Sequence, residues 1–133
     1  MPPALTHIAL QVEDIVASIA FYREFCGMHV SHERKDDAGR VTWLAEPGRE
    51  EHFVFVLIER AGHRPQPADD FGHLGFALES REAVDHIAAR AGAQLVWPPA
   101  DHPYPTGYFC GVRDPDGNII EFSFGQPLRP ARG

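Results

Sequence analysis

Hydrophobic and polar positions alternate over residues 6–12 (Thr-His-Ile-Ala-Leu-Gln-Val), placing Ile8, Leu10 and Val12 on one face. That pattern predicts a half-buried strand. Asp14 caps a predicted helix from Ile15 to about Phe25, and Gly27 stops it. Strands follow at Met28 to Glu33, Val41 to Ala45 and Phe53 to Glu59, separated by polar turns at 35–39 and 46–50. A stretch rich in proline and charge, 61–71, reads as a linker. The order then repeats. A strand at 72–78 leads to a helix capped by Ser80 and ended near Arg90 and Gly92. Leu95 to Trp97 reads as a short strand before a long loop holding Pro98, Pro99, Pro103 and Pro105. Strands at Tyr108 to Val112 and Ile119 to Phe124 flank a tight Asp114-Pro-Asp-Gly-Asn118 turn.

Laying one half on the other with a shift of 66 residues brings His7 onto His73, Phe21 onto Ile87, Val30 onto Val96, Trp43 onto Phe109 and Phe53 onto Ile119. The sequence therefore predicts an α+β fold of two βαβββ modules. Residues 1–133 form a single domain in this reading: module 1 at about 5–60, the linker, module 2 at about 72–125 and a tail at 126–133. A chain of 133 residues is too short for two domains of ordinary size but long enough for two half-sized motifs.

Alternation also assigns faces. Ile120, Phe122 and Phe124 suit the helix side of the last strand, which leaves Ile119, Glu121 and Ser123 opposite. By the same rule His7 and His73 point away from the helices. A lone histidine at a strand start, or a lone glutamate on a sheet face, has an ordinary structural explanation. The three together shift the balance, because a carboxylate in an aromatic-flanked strand is expensive to bury without a cation. Two histidines and a carboxylate with positions left open form the ligand set of non-haem iron and related catalytic sites. The predicted metal ligands are therefore His7, His73 and Glu121. The repeat maps Glu121 onto Phe55, which cannot be a ligand, so three protein ligands and an aromatic wall are expected. Gln11, Trp43, Phe53, Phe55, Leu57 and Ser123 are the expected substrate-cleft residues, with Glu59 a further polar group there.

Composition narrows the function further. The net charge of −7, a pI near 5.5 and a single lysine, Lys35, exclude the basic footprint that nucleic acid or an anionic membrane surface would need. No apolar run approaches the roughly 20 residues that span a bilayer. Cys26 and Cys110 make neither a disulfide framework nor a CxxC site, and both read as small buried or half-buried residues. The start of the chain lacks the pattern of a secretory signal, so cytoplasmic residence is expected.

The sequence resembles the vicinal-oxygen-chelate superfamily of glyoxalases, bleomycin-resistance proteins and extradiol dioxygenases. The resemblance is carried by Thr6-His-Ile-Ala-Leu10, Ser18-Ile-Ala-Phe-Tyr22, Gly72-His-Leu-Gly-Phe76 and Asp114-Pro-Asp-Gly-Asn-Ile-Ile-Glu-Phe122, within about residues 5–125. It implies paired modules around a metal cleft between sheets, His7, His73 and Glu121 as ligands, and a homodimer whose clefts are shared between chains. It implies a divalent ion, Fe2+ or Mn2+ ahead of Zn2+ or Ni2+, chelated by two vicinal oxygens of a small substrate.

Departures rank the reactions. Glyoxalase I enzymes usually take a fourth ligand from the strand holding Phe55. Fosfomycin thiol transferases carry a threonine where this chain has Ala9, and their potassium-binding loop is missing from 101–107. Extradiol dioxygenases use three ligands, and His102 stands at a spacing compatible with their signature histidine, although Gly111 replaces its tyrosine. A dioxygenase is thus placed ahead of a lyase or thiol transferase, with a drug-binding protein of the bleomycin-resistance type as the non-catalytic alternative. His102, Tyr104 and Tyr108 are the proton-carrier candidates, His102 first.

Overall fold

The computed structural model describes residues 1–37 and 39–131, so Ala38 in the predicted 35–39 turn and the last two residues of the tail lie outside the described residues. The chain divides into two compact units, Met1–Arg64 and Pro65–Gly133. In the first, β1 (His7–Val12), α1 (Ile15–Cys26), β2 (His29–Asp36), β3 (Gly39–Ala45) and β4 (Val54–Glu59) give a sheet ordered β1-β4-β3-β2. In the second, β5 (Leu74–Ala77), α2 (Arg81–Ala91), β6 (Leu95–His102), β7 (Gly107–Arg113) and β8 (Ile119–Phe124) repeat that order as β5-β8-β7-β6. Each unit is one βαβββ module with one parallel and two antiparallel strand pairs.

Local chemistry sets the elements. The Asp14 carboxylate accepts the Ala17 N–H and the Ser80 hydroxyl accepts the Ala83 N–H, so both helices begin at the residues that cap them. Glu59, read from sequence as a cleft residue, instead accepts the Ile15 N–H at 2.9 Å and serves the start of α1. One face of each sheet carries the core. Tyr22 of α1 meets Phe55 edge-on at 5.4 Å, with Val12, Ile15, Leu44 and Leu57 buried beside the helix face. In the second unit Val84 and Ile87 of α2 belong to the buried set with Cys110, Val112, Ile120 and Phe122.

The strand at Leu95 runs on through both prolines to His102, against the short strand and long loop read from sequence. β6 is an edge strand, and its register shifts between Trp97 and Ala100. A proline there forfeits no interior ladder bond. As a result Asp101 and His102 sit on a strand, and only 103–106 form the turn.

The repeat does not keep one offset. Ala9 pairs with Val56 and Gly75 with Glu121, so 66 residues separate the first strands but 65 separate the last. A slip of one residue reverses every side chain in a strand. The structural counterpart of Glu121 is therefore Val56, not Phe55.

Candidate metal centre

Glu121 lies in the middle strand pair of the second sheet, on the face away from α2, and is 5% exposed. Its cross-strand neighbours are both glycines, Gly75 in β5 and Gly111 in β7. A Cβ on Gly75 would come within 3.3 Å of the Glu121 carboxylate. A Cβ on Gly111 would collide with the Trp97 indole, which covers that glycine. Burial pushes the Glu121 carboxyl above its ordinary range, while His73 and His102 pull it back. No hydrogen bond to this carboxylate occurs among the described residues.

His73 stands just before β5. Its Nδ1 lies 2.7 Å from the Phe71 carbonyl, which only accepts, so Nδ1 carries a proton, and in the neutral ring the lone pair is on Nε2. That lone pair faces Glu121, with Nε2 3.7 Å from Oε1. Two ligand atoms each about 2.1 Å from one cation stand roughly 3–3.5 Å apart. A small side-chain rotation closes the difference. A histidine with its tautomer set by a carbonyl, beside a buried carboxylate without donors, fits a divalent ion by donor type and orientation.

The same face carries a line of rings. The His73 imidazole meets Trp97 edge-on at 5.3 Å, Trp97 meets Phe109 at 6.1 Å, and Phe109 stacks on His102 at 4.3 Å and 11°. Ser123, 3% exposed and paired with Phe109, completes it. The structure thus brings His73, Glu121, His102 and Ser123 to one face. Trp97 and Phe109 were missed in the sequence reading, which ended the strand at Trp97. The signal available was the pairing of a tryptophan with Gly111.

Tyr108 is a correction. It alternates to the helix side, where its hydroxyl donates to Asp85 and Arg81 covers its ring at 3.9 Å. Arg81 in turn makes a two-pronged bond to Asp101. Tyr104 lies in the 103–106 turn, 62% exposed, and its hydroxyl accepts the Ala131 N–H.

In the first unit His7, Ala9 and Gln11 are exposed on the face away from α1, where Trp43 also lies through its pairing with Val56. His7 Nδ1 is 3.0 Å from the Thr6 hydroxyl, and the Gln11 amide donates to the carbonyls of Arg60 and Ala61. The Trp43 ring meets His32 at 4.7 Å, and its indole N–H is buried without a partner among the described residues. Phe55 and Leu57, expected in the cleft, face α1 and are 5% and 0% exposed. Phe53 precedes β4 and packs edge-on against Phe55 at 6.2 Å. The open face of β4 is instead Val54, Val56 and Ile58. Among the described residues no group of three His, Cys, Asp or Glu side chains could hold a metal ion, so the chain itself assembles a pair, His73 and Glu121.

Residues 4–122 match the model of the Glyoxalase/Bleomycin resistance protein/Dioxygenase superfamily. The chain belongs to that superfamily. An uncharacterized protein of Pseudomonas aeruginosa, PA2024, is 54% identical over 98% of this chain and 94% of its own length. Metapyrocatechase 2 of Cupriavidus necator is 25% identical over 92% of this chain, which spans 37% of that protein. Among solved structures, a mutant of the fosfomycin resistance protein FosX from Listeria monocytogenes, complexed with Mn(II) and 1S,2S-dihydroxypropylphosphonic acid, superposes with a TM-score of 0.73. It is 20% identical and covers 96% of this chain and 94% of its own. The superfamily fold is thus the α+β arrangement of two four-stranded mixed sheets described above. No helix among the described residues is long and apolar enough to cross a membrane.

Proposed function

We propose that this superfamily member is a divalent-metal-dependent enzyme that binds a small substrate through two neighbouring oxygens. The observation that carries the reading is the His73–Glu121 pair: an imidazole Nε2 3.7 Å from a carboxylate seated between two glycines. A buried carboxylate with neither donor nor cation would be a standing cost to the fold. Fe2+ or Mn2+ is the proposed ion. When bound, it would supply Lewis-acid stabilisation of negative charge growing on the substrate oxygens.

The chain's own residues do the rest. His73 and Glu121 hold the ion, and His7 is proposed as the third ligand, contributed across a homodimer. His7 suits that role because Thr6 engages its Nδ1 and no hydrogen bond to its Nε2 occurs among the described residues. His102, held flat on Phe109 on the face that carries Glu121, is the proposed proton carrier at a substrate oxygen. Trp97 and Phe109 line that face and suit an apolar substrate body.

A dioxygenase is the proposed reaction class, resting on the proposed third ligand His7 and supported by the placement of His102. A lyase or thiol transferase stands behind it. Cytoplasmic action is proposed with it, supported by Cys26 and Cys110 forming no disulfide among the described residues.

The test is metal content and turnover together. Protein loaded with iron without oxygen should bind one ion per chain and consume oxygen with a catechol. His7→Ala, His73→Ala and Glu121→Ala should each lose the ion. Full metal binding in Glu121→Ala sinks the centre. Turnover of a methylglyoxal–thiol adduct, with no oxygen uptake, moves the reaction to the lyase class.

A further inference from the structure

The segment read as a linker is tied into the second unit at Gln66. Its side-chain amide donates to the carbonyls of Asp70, at 2.9 Å, and of Gly72. Its side-chain oxygen accepts the Ile119 N–H at 3.0 Å, and its backbone carbonyl accepts from Arg113 at 3.3 Å. Gly72 immediately precedes His73, and Ile119 opens the strand that carries Glu121. Between Asp70 and Gly72 lies Phe71, whose carbonyl fixes the His73 tautomer. The Asp70 carboxylate closes the same turn by accepting the Gly72 N–H at 2.9 Å. Pro65 packs against the β7–β8 turn, where a Cβ on Gly117 would lie 2.9 Å from it.

We infer that Gln66 is the positioning residue of the metal centre, one side chain clamping the backbone ahead of His73 to the start of the Glu121 strand. The inference rests on the metal reading above. Gln66 touches neither ligand. It acts through the Phe71 carbonyl on one side and the β8 backbone on the other. Hydrogen-bond partners that orient a ligand typically alter metal affinity by roughly 10–100-fold when lost.

The experiment uses the full chain and Mn2+ alone, with binding followed by electron paramagnetic resonance. In Gln66→Ala the Mn2+ dissociation constant should rise about 10-fold. Nitrogen-15 spectra of the metal-free protein should show His73 changing from one tautomer to a mixture, and the Ile119 amide should exchange faster. Tyr108→Phe, which removes a hydrogen bond on the opposite face, should leave all three readouts as they are. Gln66→Glu is the second variant should the alanine protein not fold. It keeps the acceptor for Ile119 but sets a carboxylate against two carbonyls, and should also lose Mn2+ affinity and the single tautomer. Unchanged affinity and an unchanged His73 tautomer in the Gln66 variants, with binding lost in His73→Ala, overturn the clamp. If His73→Ala itself keeps Mn2+, the metal reading is what fails. The tautomer and the Ile119 exchange rate then decide the clamp alone: a change in both supports it, and constancy of either overturns it.

Discussion

The Trp97 indole fills the space that a side chain on Gly111 would need: a Cβ there would lie 2.5 Å from Cε3 of the ring. Neither residue is explained without the other. The pairing holds the indole beside His73 and makes it part of the wall around Glu121.

Gly111→Ala should therefore displace the indole rather than merely stiffen β7. Trp97 and Trp43 are the two tryptophans, so a Trp43→Phe background isolates the Trp97 emission. A shift in that emission and a destabilisation of about 1–3 kcal/mol, read from urea melts, are expected for this overpacking. An alanine at 111 with unaltered emission and stability would refute the account.

Glu121 is a buried carboxylate whose charge costs the metal-free fold. Its folded carboxyl titrates above its unfolded value, so its stabilising contribution is present below the unfolded pKa and is lost as pH rises through the folded one. At neutral pH the metal-free protein carries the cost of the buried charge. Glu121→Gln should melt higher than the parent at pH 7 by an amount on the order of 1 kcal/mol. The gain should vanish near pH 4, and the variant should bind no metal. Calorimetry at the two pH values, with and without Mn2+, checks all three outcomes.

Asp114 holds the β7–β8 turn. One carboxylate oxygen accepts the Asp116 and Asn118 N–H groups, both at 2.9 Å, and the other accepts the Asn118 side-chain amide. The residue is 2% exposed. Asp114→Ala should cost about 2–4 kcal/mol, since it strands buried donors as well as removing the bonds. Chemical denaturation measures the loss.

Burial pushes the Cys110 thiol up to about 11. At pH 8 it is almost wholly protonated and enclosed, so an alkylating reagent should modify the half-buried Cys26 alone until the protein unfolds. Mass spectrometry of the labelled peptides distinguishes the two sites.

Much of this was legible in the chain. Period-two alternation placed seven of the eight strands closely, because one face of each packs on a helix, and it put His73, Glu121 and Ser123 on the side away from α2. The assignment of Phe55 and Leu57 to the cleft failed on a single residue. Similarity between the halves fixed the β1–β5 offset, but α1 is one residue longer than α2, so the offset changes from the end of the helix onward, and no local pattern marks the change. β6 was cut short because prolines argue against a strand unless its position at the sheet edge is known, and edge position is a tertiary fact. Gln66 was invisible for a similar reason: its partners lie as far as Ile119, and nothing in a polar, proline-rich stretch signals a clamp.

The prolines of β6 have one more consequence. Pro98 and Pro99 interrupt the row of amide donors along the outer rim of the second sheet, so a passing chain cannot zip onto that rim. Lateral growth of that sheet is left to the four-residue β5 margin, which offers too little length for stable templating. The second sheet should therefore resist edge-to-edge growth even when the protein is concentrated.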